Sequence, residues 1–361
     1  MLVDGTPYRT VDWKDGQLVL IDQPVLPHTF SRVSMDDHLQ VARAIRTMVV
    51  RGAGAIGAAG AYGLALAARQ APNGDFDAYL AQAHRTLADT RPTAQNLFYG
   101  LGRVLAAAQA AGGGERPDDA RDAALTEAQA VADEDAAACE AIGHHGAALL
   151  EDGVGVATHC NAGWLAFVDW GSALAPVYRA RRDGKSVHVV VDETRPRSQG
   201  ARLTAWELAG EGVPHAVIAD NAFGHMARQG AFQVVIVGSD RVARNGDVAN
   251  KIGTFGRAVI ARHLGLAFYV ALPSSTIDPD CPTGADIPIE ERDGDEVRWT
   301  WGATDDGGFG RVRTVYDGCP VRNPAFDVTP AGLVDGLVTE HGVFPASSDG
   351  VAAILAAAGR L

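Results

Sequence analysis

Val234-Val-Ile-Val-Gly-Ser-Asp240-Arg-Val-Ala-Arg-Asn-Gly-Asp247-Val-Ala-Asn-Lys251 puts a strand, a carboxylate and a turn in immediate succession. A run of β-branched residues with no polar alternation reads as a strand buried on both faces. The run stops at Gly238, which leaves Asp240 just beyond the strand's carboxyl end. After the Asn245-Gly-Asp247 turn the pattern predicts a helix capped by Asp247. Ile252, Phe255 and Val259 form its apolar stripe, and Asn250 and Lys251 fall in its first turn. In open α/β sheets ligands bind beyond the strand ends, and a helix N-terminus favours an anion.

The same rhythm of strand then helix extends on both sides of this stretch. Val154–Thr158, Val187–Val191, His215–Ala219, Val234–Val237 and Ala267–Ala271 are the candidate strands, separated by amphipathic segments of helical length. Such alternation predicts a Rossmann-like, doubly wound parallel sheet. Upstream the chain reads differently. Short strands with turns at Asp15-Gly16, Pro24 and Pro27 precede Ser34, which with Asp37 fits the start of a helix. Ala-rich helices follow, one to about Gln70 and two or three more from about Phe76 to Leu150, broken at Thr90-Arg-Pro92 and Gly112–Pro117. The fold class is therefore α/β. A mainly helical N-terminal domain (1–150) with short leading strands precedes an α/β domain (151–361). Residues 291–310 read as an acidic surface insertion with a hairpin around Val297–Trp301, and Val351–Leu361 as a terminal helix.

Length and composition narrow the function. The 361 residues are 47% hydrophobic, with no apolar run long enough to span a bilayer. The N-terminus has neither the basic nor the apolar region of a signal peptide. Four cysteines without a CxxC pair suit the cytoplasm, and His144, His145 and His159 form no ligand spacing with them, so no metal is expected. A net charge of −13 argues against nucleic-acid or anionic-membrane partners. Any anionic ligand must be held by a few local cations.

Gly52-Ala-Gly54-Ala-Ile-Gly57 matches the dinucleotide fingerprint in letters, but helical periodicity precedes it and Asp75 follows a Pro-Asn-Gly loop. A tight helix–helix turn, or a backbone nest with Arg51 for phosphate, are the other readings. Cys160 follows a buried strand and precedes Asn161-Ala-Gly163. It is either a small core residue or a thiol whose pKa is lowered at a helix N-terminus. Asp240 either serves the crevice or merely caps a turn or pairs with Arg241 or Arg244. Asp192-Glu193-Thr-Arg195-Pro-Arg197 is either a solvated ion-pair cluster, the reading preferred for Glu193, or part of the crevice, and Gln199 is better placed to hydrogen-bond a ligand.

Several of these segments together resemble the S-methyl-5-thioribose-1-phosphate isomerases. They are Thr158-His-Cys-Asn-Ala-Gly163, Asp192-Glu-Thr-Arg-Pro-Arg-Ser-Gln-Gly-Ala-Arg-Leu-Thr-Ala-Trp-Glu-Leu208, Gly238-Ser-Asp through Thr254, and Asn323-Pro-Ala-Phe-Asp-Val-Thr-Pro330. Arg91-Pro-Thr-Ala94 and Arg51-Gly-Ala53 fit as well, so the match runs nearly the whole chain in order. The resemblance implies a fold shared with non-catalytic regulatory subunits of a eukaryotic translation-initiation exchange factor. It also implies a cytoplasmic homodimer in methionine salvage, with no cofactor and a sugar phosphate as substrate. It assigns substrate contacts to Arg51, Gly52, Ala53, Arg91, Gln199, Asn250 and Lys251, and catalysis to Cys160 and Asp240. Related isomerases act on 5-deoxyribose 1-phosphate or ribose 1,5-bisphosphate. Two departures bear on that choice: Gly54 replaces the usual proline and predicts a more flexible loop, and Trp164-Leu-Ala-Phe-Val-Asp-Trp170 is bulkier than the usual small-residue segment.

Overall fold

The computed structural model describes all 361 residues. The chain opens with a two-stranded ribbon, β1 (Leu2–Val3) and β2 (Thr6–Pro7), and an antiparallel sheet of β3 (Val11–Lys14), β4 (Gln17–Ile21) and β5 (Arg32–Met35). Ser34 does not start a helix. It pairs with Val19 across the β4–β5 ladder, so its backbone stays extended. Helix α1 (His38–Arg46) is capped instead by Asp37, whose carboxylate accepts the Gln40 N–H at 2.8 Å.

Helices α2 (Ala53–Gln70), α3 (Phe76–Ala88), α4 (Gln95–Ala110) and α5 (Pro117–Ala147) complete the helical half. Helix α2 is its axis, and every residue from Ala53 to Ala68 is buried. Small residues let the neighbouring helices close on it: a Cβ on Gly57 would lie 2.8 Å from the Asn96 carbonyl oxygen, and one on Gly100 2.5 Å from that of Gly57. The glycine pattern there is thus a device for helix packing. Gly54 also lies inside α2 rather than in a loop. Its Cβ would fall 2.2 Å from Asp135 Oδ1 and 2.5 Å from Phe167 Cδ1, so the missing side chain makes room for close packing.

Beyond α5 the chain winds a seven-stranded sheet. Its course is β6 (Gly155–Thr158), α6 (Ala175–Arg182), β7 (His188–Asp192), α7 (Ala205–Gly210), β8 (His215–Ile218), α8 (Phe223–Arg228) and β9 (Val234–Val237). An excursion through β10 (Arg241–Val242) and β11 (Val248–Lys251) precedes α9 (Thr254–Leu264) and β12 (Ala267–Ala271). Then come α10 (Asp295–Arg298), the hairpin β13 (Trp299–Ala303) and β14 (Phe309–Arg313), and β15 (Phe326–Thr329). Strands β16 (Gly336–Thr339) and β17 (Gly342–Phe344) and helix α11 (Ser348–Ala357) close the chain. The order is β17-β16-β12-β9-β6-β7-β8, parallel except at β17. From β6 the chain builds outward through β7 and β8, then returns to the opposite side of β6 with β9. The switch point, and with it the crevice, lies between the carboxyl ends of β6 and β9. Those are the strands that end just before Cys160 and Asp240.

The helix expected from Asp247 is displaced. Val248–Lys251 is a strand pairing with β10 and with β15, where Asn250 faces Asp327 and Lys251 faces Phe326. The helix begins only at Thr254, and Phe255 and Val259 point outward, each more than 40% exposed, while Ala258 and Ala261 face the sheet. Asp247 instead accepts the backbone N–H groups of Gly284 and Ala331 at 3.0 and 2.9 Å. No helix is long and apolar enough to cross a membrane.

Candidate active site

One cavity sits at the switch point, between the helical half and the sheet. It is lined by all nine residues singled out above: Arg51, Gly52 and Ala53 from the turn into α2, Arg91 from the α3–α4 loop, Cys160, Gln199, Asp240, and Asn250 and Lys251 from β11. Met48, His159, Phe167 and Arg292 also reach it.

The loop after β6 forms the floor. Cys160 has φ +65° and Thr194, opposite it, φ +66°. Left-handed backbone is unusual for a cysteine and strained for a β-branched threonine, and such conformations gather at functional sites. The pair is held by hydrogen bonds: the Cys160 N–H donates to Thr194 Oγ1 at 2.8 Å, and Thr204 Oγ1 donates to the Cys160 carbonyl at 2.7 Å. No helix N-terminus supports the thiol, because only a single 3₁₀ turn, Trp164–Ala166, follows. Burial pushes the Cys160 thiol up, opposed by Arg51 and Lys251, and the lowered pKa expected from a helix dipole is not found.

Glu207 fixes the rest of the loop. This buried carboxylate accepts from Asn161 Nδ2 at 2.9 Å, the N–H groups of Trp164 and Leu165 at 2.9 and 3.1 Å, and the Tyr178 hydroxyl at 2.8 Å. Burial pushes it up to about 7 against the pull of Asn161 and Tyr178. Asn161 in turn receives the Arg51 guanidinium on its side-chain oxygen, and on its carbonyl at 2.7 Å. Gly52 brings Arg51 in with φ +93°, where a Cβ would lie 2.4 Å from the Ala166 Cα, so only glycine fits.

Asp240 pairs with neither Arg241 nor Arg244. Arg241 donates to Asp278 at 3.0 Å and to the Thr93 carbonyl at 2.7 Å. Burial pushes the Asp240 carboxyl above its ordinary range, opposed by Arg292, Arg91, Arg51 and Lys251. Four cations thus oppose the burial that shifts this acid toward its neutral form. Buried without a hydrogen-bond partner are Arg91 Nε, Lys251 Nζ and Gln199 Oε1. The two unsatisfied donors, Arg91 Nε and Lys251 Nζ, are costly unless an anion accepts from them, and Gln199 Oε1 is free to accept from a ligand hydroxyl.

The aromatic segment divides. Trp164 is core, 6.0 Å from the Trp206 ring, and Trp170 lies under the Arg182 guanidinium at 4.2 Å. Phe167 alone of the three reaches the cavity. The cluster His159, Asp192 and Asp220 lies within metal-ligand reach, but most of its atoms are already engaged, Asp192 Oδ1 alone being buried without a partner. His159 Nδ1 is 2.8 Å from Asp192 Oδ2 and Nε2 is 2.8 Å from the Ile252 carbonyl, while Arg257 Nε donates to Asp192 at 2.7 Å.

Arg292 and Glu207 escaped the sequence reading. Arg292 stands in the segment that reads as an acidic surface insertion, and a basic residue there in a −13 chain is the available signal. Glu207 lies within the Asp192–Leu208 segment that carries the resemblance, but its role arises from tertiary contact.

Residues 49–346 match the model of the initiation factor 2 subunit family. Methylthioribose-1-phosphate isomerase of Methylorubrum extorquens is 54% identical over 365 residues, covering 98% of each chain. Two solved structures superpose over 97% of this chain. The 5-methylthioribose 1-phosphate isomerase of Pyrococcus horikoshii, 96% covered, is 40% identical with a TM-score of 0.85. The delta subunit of translation initiation factor eIF-2B from A. fulgidus, 100% covered, is 41% identical with a TM-score of 0.81. The chain therefore belongs to the initiation factor 2 subunit family, and within it to the methylthioribose-1-phosphate isomerases.

Proposed function

We propose that this chain converts S-methyl-5-thio-α-D-ribose 1-phosphate to S-methyl-5-thio-D-ribulose 1-phosphate, the aldose-to-ketose step of methionine salvage. The observation that carries the reading is one cavity with a thiol and a half-buried carboxyl of raised pKa at adjacent strand ends, walled by cations. A phosphate ester on C1 prevents ordinary ring opening by mutarotation, so an acid must protonate the ring oxygen while the ester stays. Asp240 supplies that proton as the bond from C1 to the ring oxygen breaks. Cys160 accepts the C2 proton, giving an enol, and returns it to C1, while the hydroxyl proton on C2 passes to the Asp240 carboxylate. If hydrogen instead moves from C2 to C1 as hydride, the same thiol positions and stabilises the sugar.

The helical part (1–150) supplies Arg51, Gly52, Ala53 and Arg91, and the α/β part (151–361) supplies Gln199, Asn250 and Lys251. Together they contact the substrate, with Arg51 and Arg91 clamping its phosphate. Loss of one charged hydrogen-bond partner costs roughly 1.5–3 kcal/mol, so Arg91→Ala should raise the substrate Kd about tenfold or more. An unchanged Kd in calorimetry would take Arg91 out of the phosphate site. A second copy of the chain is expected in a homodimer, supported by the outward Phe255 and Val259 one turn apart on α9.

Phe167 gives the wall near the sugar's 5-position an apolar face, which favours a methylthio substituent. A second phosphate there would be desolvated, so ribose 1,5-bisphosphate should turn over about 100-fold more slowly or worse. Assaying the methylthio, 5-deoxy and 5-phospho sugars side by side tests the reading. Equal rates on the bisphosphate would refute the apolar wall. No turnover of any sugar would favour a regulatory subunit, a reading that the pairing of Cys160 with Asp240 opposes.

A further inference from the structure

Arg292 has no assigned part in the site, yet it lies in the same cavity with its side chain only 8% exposed. Its mounting is rigid. The Arg292 N–H donates to the Asn323 carbonyl at 2.9 Å, the Ala325 N–H donates to that of Glu290 at 2.8 Å, and the guanidinium carbon sits 5.2 Å above the Phe326 ring. Phe326 begins β15, whose partner β11 carries Asn250 and Lys251. The segment is thus built onto the strand pair that lines the site.

Glu290, two residues earlier and on the same side of this extended run, faces two guanidinium groups at once. Arg91 Nη2 donates to its Oε2 at 3.4 Å and Arg292 Nη2 to the same atom at 3.3 Å. Arg292 Nε is 3.2 Å from Oε1 but lacks the alignment of a hydrogen bond. Burial pushes this carboxyl up, yet Arg91 and Arg292 outweigh it and hold Glu290 below its usual range. The contacts are long for charge-assisted bonds, which run at about 2.7–2.9 Å. Arg91, at 9% exposure, is nearly as enclosed as Arg292, whereas Glu290 is 23% exposed and has a way out to solvent.

We propose that Arg292 is a phosphate-binding residue alongside Arg51 and Arg91, and that Glu290 is an internal anion which the substrate's phosphate displaces. A phosphate brings nearly two charges and three acceptor oxygens, so it satisfies the two guanidinium forks better than one loosely held carboxylate. Without substrate, Glu290 keeps buried arginines from facing one another uncompensated. With substrate, it swings toward water. The proposal rests on the sugar-phosphate reading of the cavity.

Calorimetric titration of the full-length protein with inorganic phosphate tests it. Arg292→Met keeps the length and apolar stem of the side chain and should weaken phosphate about tenfold or more. Glu290→Gln removes the competing charge and should tighten phosphate about threefold or more, a gain lost when Arg292→Met is added. Should the Met variant not fold, Arg292→Lys should still weaken binding, because a point charge replaces a fork. Wild-type affinity in the folded Arg292 variants would overturn the proposal. So would Glu290→Gln weakening phosphate, since Glu290 would then be a support for Arg91 rather than its competitor. Wild-type turnover of the methylthio sugar, measured alongside, separates the two claims. A chain that binds phosphate through Arg292 without isomerising would refute the isomerase and leave the clamp standing.

Discussion

Asp240→Asn is expected to lower kcat by about 100-fold or more while leaving substrate Kd nearly unchanged, because a positioned proton donor supplies roughly 10²–10⁴-fold in rate. The amide keeps the carboxyl's shape and takes away only the transferable proton. The same substitution should stabilise the protein. Burial raises the Asp240 pKa from its ordinary 3.8, so the folded state prefers the neutral acid. That preference contributes stability in full below 3.8 and is lost as pH rises through the folded value. Asparagine is neutral throughout. The variant should match wild type in acid and exceed it above the folded pKa, as followed by chemical denaturation across pH. Lower stability at neutral pH would mean that Asp240 works as an ionised partner of its four cations, and the acid role would fail with it. By the same logic wild-type kcat should fall as pH rises through the Asp240 pKa, since only the protonated form can deliver the proton.

Cys160→Ser should cost kcat about 100-fold or more for a different reason. Serine occupies nearly the same volume and keeps the hydrogen-bonding pattern of the loop, but its hydroxyl does not ionise in the working range. In the wild type, burial pushes the thiol up and Arg51 and Lys251 pull the other way. Those two cations are the groups that favour the thiolate needed to take up the C2 proton. Substrate affinity should change little, because Cys160 makes none of the phosphate contacts. If the serine variant kept most of its kcat, the thiol would be packing and the proton-transfer assignment would be withdrawn.

The sheet was legible because its strands announce themselves. Val187–Val191 and Val234–Val237 are β-branched runs cut by polar or glycine stops, and all five strands expected from such patterns are present within a residue or two. The helical half was legible for a similar reason, its breaks falling at Pro92 and Pro117. Asn250 and Lys251 were misplaced onto a helix because Asn-Gly-Asp is a local capping signal. The winning interaction is a ladder with Phe326–Thr329, more than 70 residues away. Non-locality also hid Arg292, Glu290 and Glu207: each acts through contacts that the intervening sequence does not encode. Cys160 and Asp240 could be singled out because both lie just beyond strand ends, but the order of the strands, which makes those ends neighbours, is a property of the fold.

The most direct test of the account is a ¹³C and ³¹P spectrum of methylthioribose 1-phosphate incubated with the purified protein. A ketone carbon should appear at C2 while the phosphorus signal remains that of an ester at C1, with no inorganic phosphate released. An unchanged aldose, or free phosphate accompanying any change at C1, would contradict it.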